Sequence, residues 1–233
     1  MFPCNYLSEN KTLSEGLPLI YEKLYLIYGP QDWWPGDSKL EIIIGAILTQ
    51  AVSWSNVEMA IDNLKGQNLI DINKLHKIDK NRLAKLIKPS GYYNMKAKKL
   101  KSFIDVVVNE YNSNLDDFGK GKREQKRKEL LEIYGIGPET ADSILLYAYQ
   151  KPVFVIDTYT KRIFSRINYI EKDISYENLQ SLIEDNIETK QELFNEYHAL
   201  LVNLAKDYCL KSSPFCDQCP LNKHYEEEKD DYC

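Results

Sequence analysis

Residues 131–163 read LEIYGIGPETADSILLYAYQKPVFVIDTYTKRI. Two apolar helical runs flank a Gly135-Ile136-Gly137 turn, and a second apolar run, Val153 to Ile156, ends in Asp157. A Gly-x-Gly turn between helices bares backbone N–H groups, and the helix that follows adds the positive end of its dipole. Together they make a phosphate-binding corner that needs no basic side chain. Asp157 precedes a further helical pattern, so a carboxylate follows the corner at a fixed distance along the chain.

Outward from this stretch the chain reads as almost entirely helical. Leu17 to Tyr28 carries an apolar stripe, with Pro18 placed for a first turn. Pro30 and the run Trp33 to Asp37 form a break. Asp37 or Ser38 then caps a helix through Ile42, Ile43, Ile44, Ala46, Ile47 and Leu48. Helical patterns follow at Ser55–Leu64, Lys80–Ile87, Lys96–Tyr111, Lys126–Ile133 and Thr140–Tyr149. Thr158–Ile167, Tyr176–Ile187 and Gln191–Tyr208 complete the set. No strand pair is convincing, and there is no internal repeat or low-complexity tract.

The chain has 233 residues, enough for one or two domains with a sizeable core. With 43% hydrophobic and 28% charged residues it falls in the ordinary range of soluble globular proteins. No apolar run approaches the roughly 20 residues of a membrane span. The N-terminus, MFPCNYLSENK, lacks the basic-then-apolar pattern of a signal peptide. A cytoplasmic protein without a membrane partner is expected.

The net charge of −5 argues at first against nucleic acid. Its distribution argues the other way. Lys80, Arg82, Lys85, Lys88, Lys96, Lys98, Lys99 and Lys101 form one basic run. Lys120, Lys122, Arg123, Lys126, Arg127 and Lys128 form another, against the single acid Glu124. Taken alone, such runs are solvated helix faces. Beside a phosphate-binding hairpin they read as contacts to a DNA backbone.

From about Tyr28 to Cys219 the chain resembles the helix-hairpin-helix glycosylases of base-excision repair, in their endonuclease III branch. Leu131, Gly135, Ile136, Gly137, Pro138, Glu139, Thr140 and Ala141 match the family hairpin, and Ile156-Asp157-Thr158 matches its later Val-Asp-Thr. The resemblance implies an all-α fold of two helical domains with a DNA cleft between them. One would be a sequential domain over 38–149 holding the hairpin. The other would join 1–37 to 150–233 and carry a C-terminal iron–sulfur loop. A monomer acting on double-stranded DNA with a damaged base is implied.

The resemblance makes Asp157 catalytic. Breaking a base–sugar bond builds positive charge on the sugar, which a fixed carboxylate stabilises while it orients or deprotonates water. By itself Asp157 could equally be the N-cap of the helix beginning at Thr158, and capping would fix its position. Glu139 departs from the family. Bifunctional members have a lysine there, whose amine forms a Schiff base with the sugar. A glutamate cannot form an imine, so a glycosylase that leaves an abasic site is expected.

For DNA contacts the resemblance points to Gly135, Gly137 and Thr140 of the hairpin and to Gln50. Gln50 opens the segment that would fill the hole left by a flipped nucleotide. Tyr92, in Ser-Gly-Tyr-Tyr-Asn, stands where the family often has a leucine wedge; core packing is its other reading. Cys209, Cys216 and Cys219 have the spacing C-x6-C-x2-C of the family's [4Fe–4S] loop. The family position of the fourth cysteine is Tyr225. Cys233, the last residue, is the substitute candidate, with His224 behind it. Zinc and free thiols remain the chemical alternatives.

The Trp-Trp-Pro-Gly-Asp run and the Leu-Thr-Gln onset resemble the lysine-lacking alkyladenine glycosylases. An alkylated base is therefore the expected substrate. A mismatch glycosylase acting on uracil, thymine or adenine is the competing enzyme. A non-catalytic helix-hairpin-helix DNA clamp is the competing binding protein.

Overall fold

The computed structural model describes residues 12–31, 33 and 36–222. Among these there are twelve α-helices and no strand. The chain divides into two compact units. One is Trp34–Lys151; the other joins Met1–Trp33 to Pro152–Cys233.

The unit Trp34–Lys151 is built round α2 (Lys39–Leu48), in which eight of ten residues are buried. A helix apolar on all sides belongs at a centre rather than a surface. Ser38 caps it, its Oγ accepting from the Glu41 N–H at 3.2 Å. Packed around the unit are α3 (Trp54–Gly66), α4 (Ile72–Lys77), α5 (Lys80–Leu86), α6 (Tyr93–Tyr111) and α7 (Leu115–Phe118). The hairpin helices α8 (Arg123–Glu132) and α9 (Pro138–Ser143) complete it. Helices α4 and α7 are absent from the sequence reading. At six and four residues they are too short to show a period, and side-chain caps from Asp71 and Asn114 start them. The helix expected over Thr140–Tyr149 starts earlier, with Pro138 in its first turn, and passes into a buried π turn at Ile144–Ala148.

In the other unit, α1 (Leu13–Tyr28) begins a turn before the apolar stripe. Glu15 accepts from the backbone N–H and hydroxyl of Thr12 at 2.9 and 2.8 Å. Pro18 therefore lies inside the helix rather than in its first turn and forgoes one helical hydrogen bond. Helix α10 (Thr158–Arg166) and α12 (Gln191–Asp207) pack together, α12 also lies on α1, and α11 (Tyr176–Glu184) belongs to the same unit. The buried hydroxyl of Tyr197 donates to the Leu17 carbonyl at 2.9 Å.

The run Val153–Ile156 is fully buried without being a strand. Side chains of α11 take the place of a partner strand. Glu184 accepts from the Phe154 N–H at 2.7 Å, Gln180 donates to the Phe154 carbonyl at 2.7 Å, and the Ile156 N–H donates to Tyr176 Oη at 3.3 Å. A buried backbone must be paired, and these bonds fix the segment that delivers Asp157.

Candidate functional site

The hairpin's shape follows from its two glycines, which act differently. Gly135 has φ +84°, and a Cβ there would lie 2.3 Å from Lys99 Cγ. Both conformation and space exclude a side chain. Gly137 has φ −97° and caps α9, and a Cβ there would meet nothing within 4 Å. Its bare backbone is open to approach from outside. Behind the turn, the guanidinium of Arg127 on α8 grips Asp142 on α9 with two bonds, Nε–Oδ1 2.7 Å and Nη2–Oδ2 3.1 Å. Asp142 is completely buried.

Gln50 and the hairpin are brought together. Its Nε2 donates to the Gly135 carbonyl at 3.2 Å and to Thr140 Oγ1 at 2.9 Å, and Lys99 Nζ donates to its Oε1. These partners fix the orientation of the amide. Thr140 is buried, so its hydroxyl serves Gln50 rather than the surface. Tyr92 is the opposite case, 78% exposed with a left-handed backbone, φ +44°. It does not pack in the core. Beside it in sequence, exposed Met95 accepts from the Tyr134 hydroxyl at 3.2 Å, and Lys98 Nζ lies 4.1 Å from the centre of the Tyr134 ring.

The basic runs split. Lys80, Arg82, Lys85, Lys88, Lys98, Lys122 and Lys128 are exposed. Lys96 and Lys126 are buried, Lys101 donates to carbonyls at the end of α4, and Arg127 holds Asp142. These four serve the interior, not a surface facing DNA. Lys126 lies over the Tyr111 and Phe118 rings and donates to Glu129 at 2.7 Å.

Asp157, in the other unit, is the N-cap of α10. Its Oδ1 accepts from the Thr160 N–H at 2.7 Å and the Thr160 hydroxyl at 2.8 Å. Its Oδ2 lies 3.6 Å from Nε2 of His198 on α12. Burial opposes ionisation, but His198 and the two Thr160 donors outweigh it and hold the carboxyl below its ordinary range. His198 escaped the sequence reading because a histidine in mid-helix carries no local signal.

Cys209, Cys216 and Cys219 line one small cavity with Ile163, Arg166 and Leu204. Arg166 Nη1 donates to Cys209 Sγ at 3.2 Å, and Arg162 Nε to the Cys209 carbonyl at 2.8 Å. Burial, with the other two cysteines adding to it, pushes the Cys219 thiol up to about 11. Among the described residues no group of three or more His, Cys, Asp or Glu is set as a ready metal-ion site. Three thiols around one cavity beside an arginine nevertheless suit an anionic thiolate-bound group lacking one ligand. Cys233 and His224 lie outside the described residues.

No helix among the described residues is long and apolar enough to cross a membrane. Comparison with known proteins agrees with the hairpin. Residues 44–189 match the family described as HhH-GPD superfamily base excision DNA repair protein. A Methanocaldococcus jannaschii protein, MJ1434, named provisionally as a DNA repair glycosylase, is 43% identical over 219 residues, covering 93% of this chain and 98% of its own. Endonuclease III of Thermotoga maritima is 25% identical over 189 residues, covering 79% and 81%. Among solved structures, the H. pylori 3-methyladenine DNA glycosylase MagIII bound to 1,N6-ethenoadenine superposes with a TM-score of 0.72 at 29% identity, over 84% of this chain and 98% of that one. A non-covalent endonuclease III–DNA complex superposes at 0.77 over 94% and 100%, at 17% identity, a likeness of fold alone. With a matching hairpin, a matching family pattern over most of its length and a relative at 43% identity, the chain belongs to the HhH-GPD superfamily of base excision DNA repair proteins.

Proposed function

We propose that the protein is a monofunctional DNA glycosylase that hydrolyses the N-glycosidic bond of an alkylated, flipped base. The observation that carries this reading is Asp157, a largely buried carboxylate kept ionised by Thr160 and His198. As the base leaves, the sugar becomes cationic. A fixed negative charge shielded from water stabilises that state without reorganising. The likeness to MagIII supports an alkylated purine as the substrate. In this reading the Gly135–Gly137 turn holds a phosphate, Gln50 and Tyr92 invade the base stack, and Asp157 acts on the sugar.

Glu139 supports the absence of a lyase step. Duplexes with single alkylated bases should lose the base, and cut strands should appear only after alkali or an added abasic-site nuclease. Borohydride should trap no covalent protein–DNA adduct. Efficient trapping would overturn the monofunctional reading and direct attention to Lys151 or Lys161. No base release from any duplex in a lesion panel would overturn the glycosylase reading itself.

We further infer that Cys209, Cys216 and Cys219 hold a [4Fe–4S] cluster, with Cys233 as the fourth ligand. The cluster would supply structural stability to the loop, away from the sugar chemistry. Protein purified without oxygen should be brown with about four irons per chain. Serine at any of Cys209, Cys216 or Cys219 should lose iron and soluble protein together. Cys233→Ser with full iron would move the fourth ligand elsewhere. Colourless, iron-free wild type would sink the cluster assignment and leave the Asp157 chemistry standing.

A further inference from the structure

Lys96 is buried, yet no carboxylate among the described residues holds it. Its Nζ donates to two backbone carbonyls, Leu48 at 2.8 Å and Ser90 at 2.5 Å. Leu48 ends α2, two residues before Gln50. Ser90 lies two residues before Tyr92. One ammonium group thus bridges the two loops that carry the candidate wedges. Burial, then the charge of Lys99, draws the Lys96 pKa down to about 8. A methionine would fill the same space without that cost, so the charge is there for its bonds.

Both loops are strained. Ala51 has φ +55° and Tyr92 φ +44°, left-handed values that non-glycine residues rarely adopt. Such conformations persist only where the surroundings over-determine them. Lys96 pins the chain just before each strained residue. One helical turn on, Lys99 pins the Gln50 side chain. The first two turns of α6 therefore fix both loops.

We propose that Lys96 is a positioning residue for DNA invasion, holding the Gln50 and Tyr92 loops at one spacing so that both side chains enter the duplex together. This rests on the invasive roles proposed for those two residues, not on the chemistry of Asp157.

The test uses the full chain and a duplex with a tetrahydrofuran abasic analogue facing 2-aminopurine, which reports unstacking by fluorescence and requires no base release. Wild type should raise the fluorescence. Lys96→Met should bind undamaged duplex as wild type does, yet bind the abasic duplex about tenfold more weakly and lose most of the fluorescence rise. Lys96→Arg, which keeps the positive charge and the N–H donors, should restore the signal. A folded Lys96→Met with the full rise overturns the proposal. Should that variant not fold, the double-mutant cycle of Gln50→Ala and Tyr92→Ala in wild type decides. Coupled losses of fluorescence support the bridge; strictly additive losses overturn it. If wild type gives no rise, the invasion reading fails and this proposal with it. Loss of base release alone would touch neither.

Discussion

Asp157→Asn should release base about a hundred- to thousandfold more slowly than wild type, the typical cost of removing one electrostatic stabiliser. The asparagine oxygen can still accept from the Thr160 N–H and hydroxyl, so the cap on α10 and the fold are kept. What is lost is the charge. The variant should therefore bind lesion-bearing duplex about as well as wild type. Alanine would be a poorer test, because losing the cap costs about 1 kcal/mol of stability by itself. Single-turnover rates with enzyme in excess isolate the chemical step. A near-normal rate for the asparagine variant would remove Asp157 from its role and leave it a cap.

The largest loss of stability should come from Asp142→Ala. Asp142 is fully buried and takes both bonds of the Arg127 guanidinium. Removing one partner of such a pair strands a charge in a poor solvent and costs about 3–5 kcal/mol. Asp142→Asn keeps the shape and should cost less. Because the pair joins α8 to α9 behind the Gly135 turn, the alanine variant should also loosen the hairpin, and its duplex affinity should fall even where it is folded. Denaturant midpoints at constant slope measure the first effect. A loss below about 1 kcal/mol would show that the pair contributes little.

Much of this architecture is legible in the sequence. Ser38 and Asp157 announce helix starts by residue type and position, and the structure uses both as caps. The hairpin is legible because Gly135 needs its positive φ and its missing Cβ. The direction of a charge is harder to read than its sign. Lys96, Lys126, Lys101 and Arg127 belong by sequence to the basic runs, yet they serve the interior. Helical phase carried a warning for two of them. Lys96 is in register with buried Leu100, Phe103, Ile104 and Val107, and Lys126 with buried Leu130. A lysine on an apolar stripe is a lysine turned inward. No such rule finds His198, which meets Asp157 only once α12 has packed against α10.

The discontinuity of one unit bears on how the chain is made. Met1–Trp33 shares a core with Pro152–Cys233, while Trp34–Lys151 is continuous. On a ribosome adding about 5–20 residues per second, α1 emerges roughly 8–35 s before Tyr197, whose hydroxyl holds the Leu17 carbonyl. The middle unit can complete its core in that interval. Throughout it, Leu17, Ile20 and Leu24 of α1, buried in the finished protein, lack the helix that covers them. Pairings of such long sequence separation form slowly. Helix α1 is therefore open to mispairing and to capture by chaperones until α12 has been made.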